Sequence, residues 1–300
     1  RDDKALAAWN GFAIAAYADA GRLLGEPALV ERGVRIAAFV RAHLTRDDGT
    51  LIRSWRGVPG TASGFSEDYG AVADGLLRLH AATGDLAHLL EAQRLTALAL
   101  ERFHDAEHGG FFLAPSDGET LVARTKGVED QPTPSGSSLI ASCLVRLGRI
   151  WGDAAWEETA LASVGAVRGV SERHPNVFGT LLGVVQQAST APREIALVGA
   201  AGDARLHALR EVVDFHDDAV DDVRQVVAQR LPVGAEFDHF VKRVDDANLG
   251  VDRESALFQI VERVMVRIEL RHALHLAQLV RPKRQFADRK STRLNSSHVA

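Results

Sequence analysis

The sequence predicts a mainly α protein, an (α/α) toroid built from helical hairpins, and three observations carry that expectation. Apolar residues recur at helical spacing from Leu6 to about Ala188. A unit of helix, tight glycine turn, helix and long loop recurs at intervals of roughly 60 to 70 residues. Polar clusters gather at the long-loop end of every unit, as expected if the inner helices of a ring all start at one mouth. An open α-solenoid is the alternative arrangement of the same units.

The elements follow in order. Leu6 to Leu24 carries Leu6, Trp9, Ala13, Ala16, Tyr17 and Ala20 at helical spacing. Gly25 and Pro27 separate it from a partner over Leu29 to Leu44, Pro27 suiting a first helical turn. Leu51 to Arg56 reads as a short strand and Gly57 to Gly64 as a loop. Glu67 to Thr83 and Leu86 to Phe103 form the second hairpin around Gly84-Asp85, with Ser66 expected as N-cap. Ser137 to Trp151 and Ala154 to Val170 form the third around Gly152-Asp153. Another helix begins at Pro175. Asp48-Gly49-Thr50-Leu51 and His108-Gly109-Gly110-Phe111 occupy equivalent places after successive hairpins.

Three regions result. Residues 1–190 are the toroid segment. Residues 191–215 are a small α/β appendage, with a strand over Pro192 to Gly199 and a helix over Ala204 to Val213. Residues 216–300 are an unassigned helical segment and tail, in which Leu257 to Val280 is amphipathic. Lys290 to Ala300 resembles translated sequencing-adapter read-through and is expected to be foreign to the natural protein.

Composition bounds the function. A hydrophobic share of 46% is that of a globular chain able to bury a core. The net charge of -5 gives no reason to expect nucleic acid. No apolar run is long enough to span a bilayer, and the expectation is a cytoplasmic protein. Cys143 is the only cysteine, which excludes an intrachain disulfide. Gly199 and Gly202 lack dinucleotide-fingerprint spacing. His104 and His108 have no evident third ligand, so neither a metal nor a cofactor is expected.

The candidate chemistry lies at the mouth. Glu67 and Asp68 open a helix, where negative charge is favoured and a carboxyl pKa is lowered. Glycoside hydrolysis needs a second carboxyl roughly 5 to 10 Å away. Asp130 and Asp3 are the candidates, giving Glu67, Asp68 and Asp130 as the catalytic set. Trp9, Trp55 and Tyr69 offer flat faces for sugar rings, and Asn10 is a polar group on an apolar helix. Lys4 and Lys126 are expected to balance the acids. Ser135, Gly136, Ser137 and Ser138 present hydroxyls and backbone amides at a helix start. Together these predict one polar pocket for a hydroxyl-rich, sugar-like ligand.

Four linked motifs carry a family resemblance from Arg1 to about Val213. They are Asp2-Asp3-Lys4-Ala5-Leu6-x-x-Trp9-Asn10-Gly11, Gly64-Phe65-x-Glu67-Asp68-Tyr69, Gly109-Gly110-Phe111-Phe112 and Pro134-Ser135-Gly136. They resemble the YyaL-like, spermatogenesis-associated thioredoxin-domain family. The resemblance implies an (α/α) toroid like those of six-hairpin glycosidases and N-acylglucosamine 2-epimerases, here as an incomplete ring. It also implies an N-terminal thioredoxin-like domain as partner in the full-length protein. Ser137 and Asp130-Gln131 depart from the family's usual Asn and Asp-Gly, which removes an amide donor. Epimerase chemistry calls for acid/base groups, usually histidine, on inner helices, whereas His80 and His88 fall near turns. The functional expectation is a carbohydrate-active toroid of glycosidase or epimerase type. The alternative is a non-catalytic binding domain that partners the thioredoxin-like module.

Overall fold

The computed structural model describes residues 3–118, 122–190, 193–198 and 223–228. The chain divides into two units, Arg1–Pro232 and Val233–Ala300, and every described residue belongs to the first. The expected helices over 204–213 and 257–280, and the tail after 281, lie outside the described residues.

Three helical hairpins set the architecture. α1 (Ala7–Leu23) pairs with α2 (Pro27–His43), α3 (Ser66–Thr83) with α4 (Leu86–Phe103), and α5 (Gly136–Trp151) with α6 (Ala154–Ala166). The short α7 (Arg168–Ser171) and a 3-10 turn (Pro175–Val177) lead into α8 (Gly179–Ser189). α3 packs against α1 on one side and α5 on the other, and α5 packs against α8. These four are therefore an inner row, backed by α2, α4 and α6 as an outer row. The fold is mainly α, with the layered hairpins of an (α/α) toroid.

The glycine turns explain the hairpins. Gly84 and Gly152 end α3 and α5 with φ of 72° and 69°, a left-handed conformation open to glycine at little cost. The aspartate that follows each one caps the next helix. Asp85 accepts the Ala87 N–H and Asp153 accepts the Ala155 N–H. Gly-Asp thus stops one helix and starts its partner within two residues.

Glycine also sets the spacing of the inner row. A Cβ on Gly11 would stand 2.4 Å from the Ala71 carbonyl carbon. One on Gly75 would stand 2.5 Å from the Gly11 oxygen, and one on Gly70 would press on Leu139 at 2.7 Å. α1, α3 and α5 can approach this closely only because those side chains are absent. The main core fills the space between the rows, from Ile14 and Leu44 through Tyr69, Leu79 and Phe103 to Leu144 and Phe178.

Several boundaries differ from the sequence reading. The strand expected over Leu51 to Arg56 shrinks to β2 (Ser54–Trp55), antiparallel to β1 (Ala5–Leu6). Leu51 and Ile52 instead make single bridges to Thr45 and Ser63. The bridge Thr45–Leu51 has its equivalent in His104–Phe111, so the two loops are counterparts in structure. The expected appendage strand is β3 (Arg193–Val198), and it pairs in parallel with β4 (Val223–Ala228), which sequence reading missed.

Candidate functional site

The N-termini of α1, α3, α5 and α8 meet at one end, and two aspartates tie them together. Asp68 stands at the third position of α3. Its Oδ2 accepts the Phe65 N–H at 2.8 Å and Arg53 Nη1 at 3.1 Å. Its Oδ1 accepts the Ala8 N–H, in the first turn of α1, at 2.9 Å. Asp130 repeats the device on the other side. Its Oδ1 accepts the Ser135 N–H at the start of α5, and its Oδ2 accepts the Thr180 N–H at the start of α8, at 2.9 and 2.8 Å. Each carboxylate fills both oxygens with amides of two different helices, which satisfies donors that helix ends leave unpaired.

Three expectations change here. Phe65, not Ser66, holds the N-cap position of α3, and the reach of Asp68 back to the Phe65 N–H replaces the expected serine cap. Burial pushes the Asp68 carboxyl above its ordinary value, against the pull of the Phe65 N–H, Arg53 and the Ala8 N–H. The helix-end lowering expected from sequence therefore does not dominate. The cation that balances the acids is Arg53, which the sequence reading missed. Its guanidinium lies 3.1 Å from Asp68, 3.8 Å from Glu67 and 4.4 Å above the Phe65 ring. A basic residue just before the strand paired with the α1 entrance was the available signal.

The remaining candidates divide between rim, core and a separate cavity. Glu67 stays partly open to solvent; Thr133 Oγ1 donates to its Oε1 at 3.2 Å. Asp3 pairs with Arg56 on the exposed rim. Lys4 is exposed beside it in sequence. Asn10 donates to the Leu6 carbonyl at 2.7 Å, closing its own helix entrance. Trp9 is 67% exposed. It shares a stripe of α1 with Ala13, Ala16 and Ala20, roughly opposite the Gly11, Ile14 and Ala18 side that meets α3.

Tyr69 is a core residue rather than a sugar platform. Its ring is fully buried against Phe103, and its hydroxyl accepts the Leu51 N–H and a guanidinium N–H of Arg102. Trp55 packs edge-on to Phe39 at 5.5 Å and lies 5.0 Å from the His43 ring, at the border of the core. Ser135 caps α5 by accepting the Ser138 N–H, and its hydroxyl also meets that of Ser138. Ser137 donates to the Phe111 carbonyl. Gly136 is a contact point, since a Cβ there would lie 2.5 Å from the Glu67 nitrogen.

Lys126 does not balance Glu67, Asp68 or Asp130. It binds Asp105 and the Gly109 carbonyl, each at 2.6 Å, at the Gly109-Gly110 turn, which lies against Ala162 of α6. Its ammonium and neighbouring N–H groups hold Asp105 well below the usual carboxylate range. A cavity of about 140 Å³ lies there, lined by Lys126, His108, Ser137, Ser163, Val128 and Leu181. It holds none of the three acids, so the candidates do not share that one pocket. Among the described residues no group of three or more His, Cys, Asp or Glu side chains could hold a metal. No described helix is long and apolar enough to cross a membrane.

A second face of the inner row completes the geometry. Ala8, Phe12, Ala71 and Leu139 form an apolar cluster apart from the main core. Further along the same helices, Arg78 bonds Asp74 at 2.8 Å and Asp19 at 2.5 Å, and Arg146 bonds the other Asp74 oxygen at 2.8 Å. Asp19, Asp74, Arg78 and Arg146 thus link α1, α3 and α5. Burial alone would raise Asp74, but Arg78 and Arg146 outweigh it and hold the carboxyl below its ordinary value. Glu67, Ala71, Asp74 and Arg78 follow a 4-3-4 spacing on α3, which places the acid and this network on one helical face.

No family model matches the chain. Among solved structures, cellobiose 2-epimerase from Bacillus thermoamylovorans aligns at 13% identity and a TM-score of 0.45, over 55% of this chain and 44% of that one. A GH76 α-mannanase of Bacteroides thetaiotaomicron aligns at 12% identity and a TM-score of 0.48, over 74% of this chain and 55% of that one. Both are α/α-toroid enzymes. Spermatogenesis-associated protein 20 of Rattus norvegicus is 32% identical over 208 residues, and that of Homo sapiens 31%. Each alignment covers 66% of this chain and 26% of the relative. The chain is a homologue of spermatogenesis-associated protein 20 and spans about a quarter of that relative's length.

Proposed function

We propose that this chain supplies one wall of a carbohydrate-binding toroid, with Glu67 as the acid that meets the ligand. The supporting observation is a division of labour among the three candidate acids. Asp68 and Asp130 fill both oxygens with bonds that hold helix ends, while Glu67 keeps partial exposure beside Arg53 at the mouth. From Glu67 the same face of α3 runs over the buried Ala71 to Asp74 and Arg78, with the partly buried Phe12 of α1 as the apolar surface beside it, between polar ends. Such a surface suits a ligand with an apolar ring face and hydroxyl edges.

The same observation favours binding over hydrolysis within this chain. A glycosidase needs two carboxyls free to exchange protons or attack. Asp68 and Asp130 are committed elsewhere, so a second carboxyl would come from another part of a longer protein. A thioredoxin-like module remains the proposed partner, on the resemblance alone.

Titration of the full chain with neutral mono- and oligosaccharides, by calorimetry or saturation-transfer NMR, tests the reading. Glu67→Gln is expected to weaken binding about tenfold, the scale of one hydrogen bond to a charged group, with little change in stability. Wild-type affinity in that variant, or no binding of any saccharide at millimolar concentration, would overturn it.

A further inference from the structure

We propose that the Asp19–Arg78–Asp74–Arg146 network is an acidic-group subsite on the same face, so that the preferred ligand carries a carboxylate as well as hydroxyls. This rests on the carbohydrate reading above and narrows it.

The argument begins with donor accounting. Arg78 spends Nε on Asp74 and Nη1 on Asp19, and Arg146 spends Nη1 on Asp74. Arg78 Nη2, together with Nε and Nη2 of Arg146, has no partner among the described residues. A guanidinium directs five N–H donors in a fixed plane. Two of them gripped by one carboxylate therefore present their spare donors side by side. Asp74 is the buried hinge of this pair, its side chain 10% exposed, whereas Arg78 and Arg146 are 41% and 29% exposed. The anchoring acid is inside, and the two arginine side chains reach partly outside. A network that only joined helices would need no such exposure.

Donor chemistry gives the sign of the ligand. Asp74 and Asp19 balance the two cations in number, but the groups left over are all N–H donors, and Asp19 is a single, 30% exposed contact at the edge. An incoming carboxylate can take the spare donors of both arginines in bidentate fashion without disturbing Asp74. Spacing gives its size. Glu67 and Arg78 lie eleven positions apart on α3, about 16 Å along the axis at 1.5 Å per residue. That exceeds one sugar ring, so a single acidic sugar would occupy the arginine end alone, and a short oligosaccharide with an acidic residue at one end would reach both, passing the partly buried Phe12.

The experiment compares glucuronate, glucose and acetate as probes of the full chain, by saturation-transfer NMR and calorimetry. Glucuronate is expected to bind about tenfold tighter than glucose, one charge-assisted contact, and to lose that advantage as salt is raised. Arg78→Gln and Arg146→Gln should each abolish the preference while leaving glucose binding unchanged, and Arg146→Lys should restore part of it. If glucose and glucuronate bind equally, or if the preference survives both glutamine variants, the subsite is overturned and the sugar reading stands. If acetate binds as tightly as glucuronate and glucose does not bind, the anion subsite stands and the sugar reading falls. If none binds, the subsite is overturned along with it. A melting temperature for every variant separates loss of fold from loss of preference.

Discussion

The Asp68 carboxylate accepts the backbone N–H of Ala8, sixty positions earlier in the chain, and so fixes the entrance of α1 against the entrance of α3. The bond is fully buried, and its second oxygen serves Phe65 and Arg53. Asparagine keeps one acceptor oxygen and puts an NH2 donor in place of the other, so either the Ala8 N–H or the Phe65 N–H and Arg53 are left facing a donor, and the charge opposite Arg53 is gone. Asp68→Asn should cost about 3 kcal/mol, the scale of breaking a buried charged contact by removing one partner. Urea unfolding measures this, and a cost below about 1 kcal/mol would show that the bonds to Ala8 and Phe65 are dispensable.

Asp130 makes the parallel prediction between α5 and α8. Asp130→Ala should cost about 1 to 2 kcal/mol as a lost helix cap. Amide exchange at Ser135 and Thr180 should accelerate more than exchange at Ala8. Equal acceleration at all three would argue for global loosening instead.

Close approach of α1 and α3 can be tested at Gly11. Gly11→Ala drives a Cβ into the Ala71 backbone, which cannot rotate away, and should cost about 3 kcal/mol. Gly165→Ala is the control. No atom lies within 4 Å of the added methyl and the residue is helical, so it should gain about 0.5 kcal/mol. Thermal melting distinguishes them by the direction of the shift.

The Asp74 network predicts a pH dependence. Its carboxyl is depressed in the folded protein, so its stabilisation is present above the unfolded value of about 3.9 and is lost as pH falls through the lower folded value. Asp74→Asn removes that contribution. The stability difference between wild type and variant should therefore stay level above about pH 5 and shrink as pH falls below about 4. A gap that is constant with pH would mean the loss is packing alone.

Sequence reading recovered the hairpins because their signals are local. Gly84-Asp85 and Gly152-Asp153 encode a stop and a start in adjacent residues, and no distant contact competes with them. The roles of side chains were less legible because they depend on partners far along the chain. Tyr69 looked like a flat face beside two acids, yet Leu51 and Arg102 claim its hydroxyl. Lys126 looked like a counter-ion for Asp130, four positions away, yet Asp105 and the Gly109 carbonyl, before the intervening loop, hold it. Arg53 carries the balance instead, from the position before a strand too short to show a period. The Asp19–Arg78–Asp74–Arg146 network joins three repeats, and no single-repeat pattern announces it.

The gathered helix entrances have an electrostatic consequence. α1, α3, α5 and α8 all bring their N-termini to one end, and each aligned helix carries about half a positive elementary charge there. Four such ends in parallel repel one another. Asp68 and Asp130 are each shared by two of them, placing one full negative charge against two half-positive poles. The end that reads as acidic in the sequence is thereby close to neutral in its field. Neutralising either aspartate would make it repulsive, opening the fan of inner helices from the mouth inward.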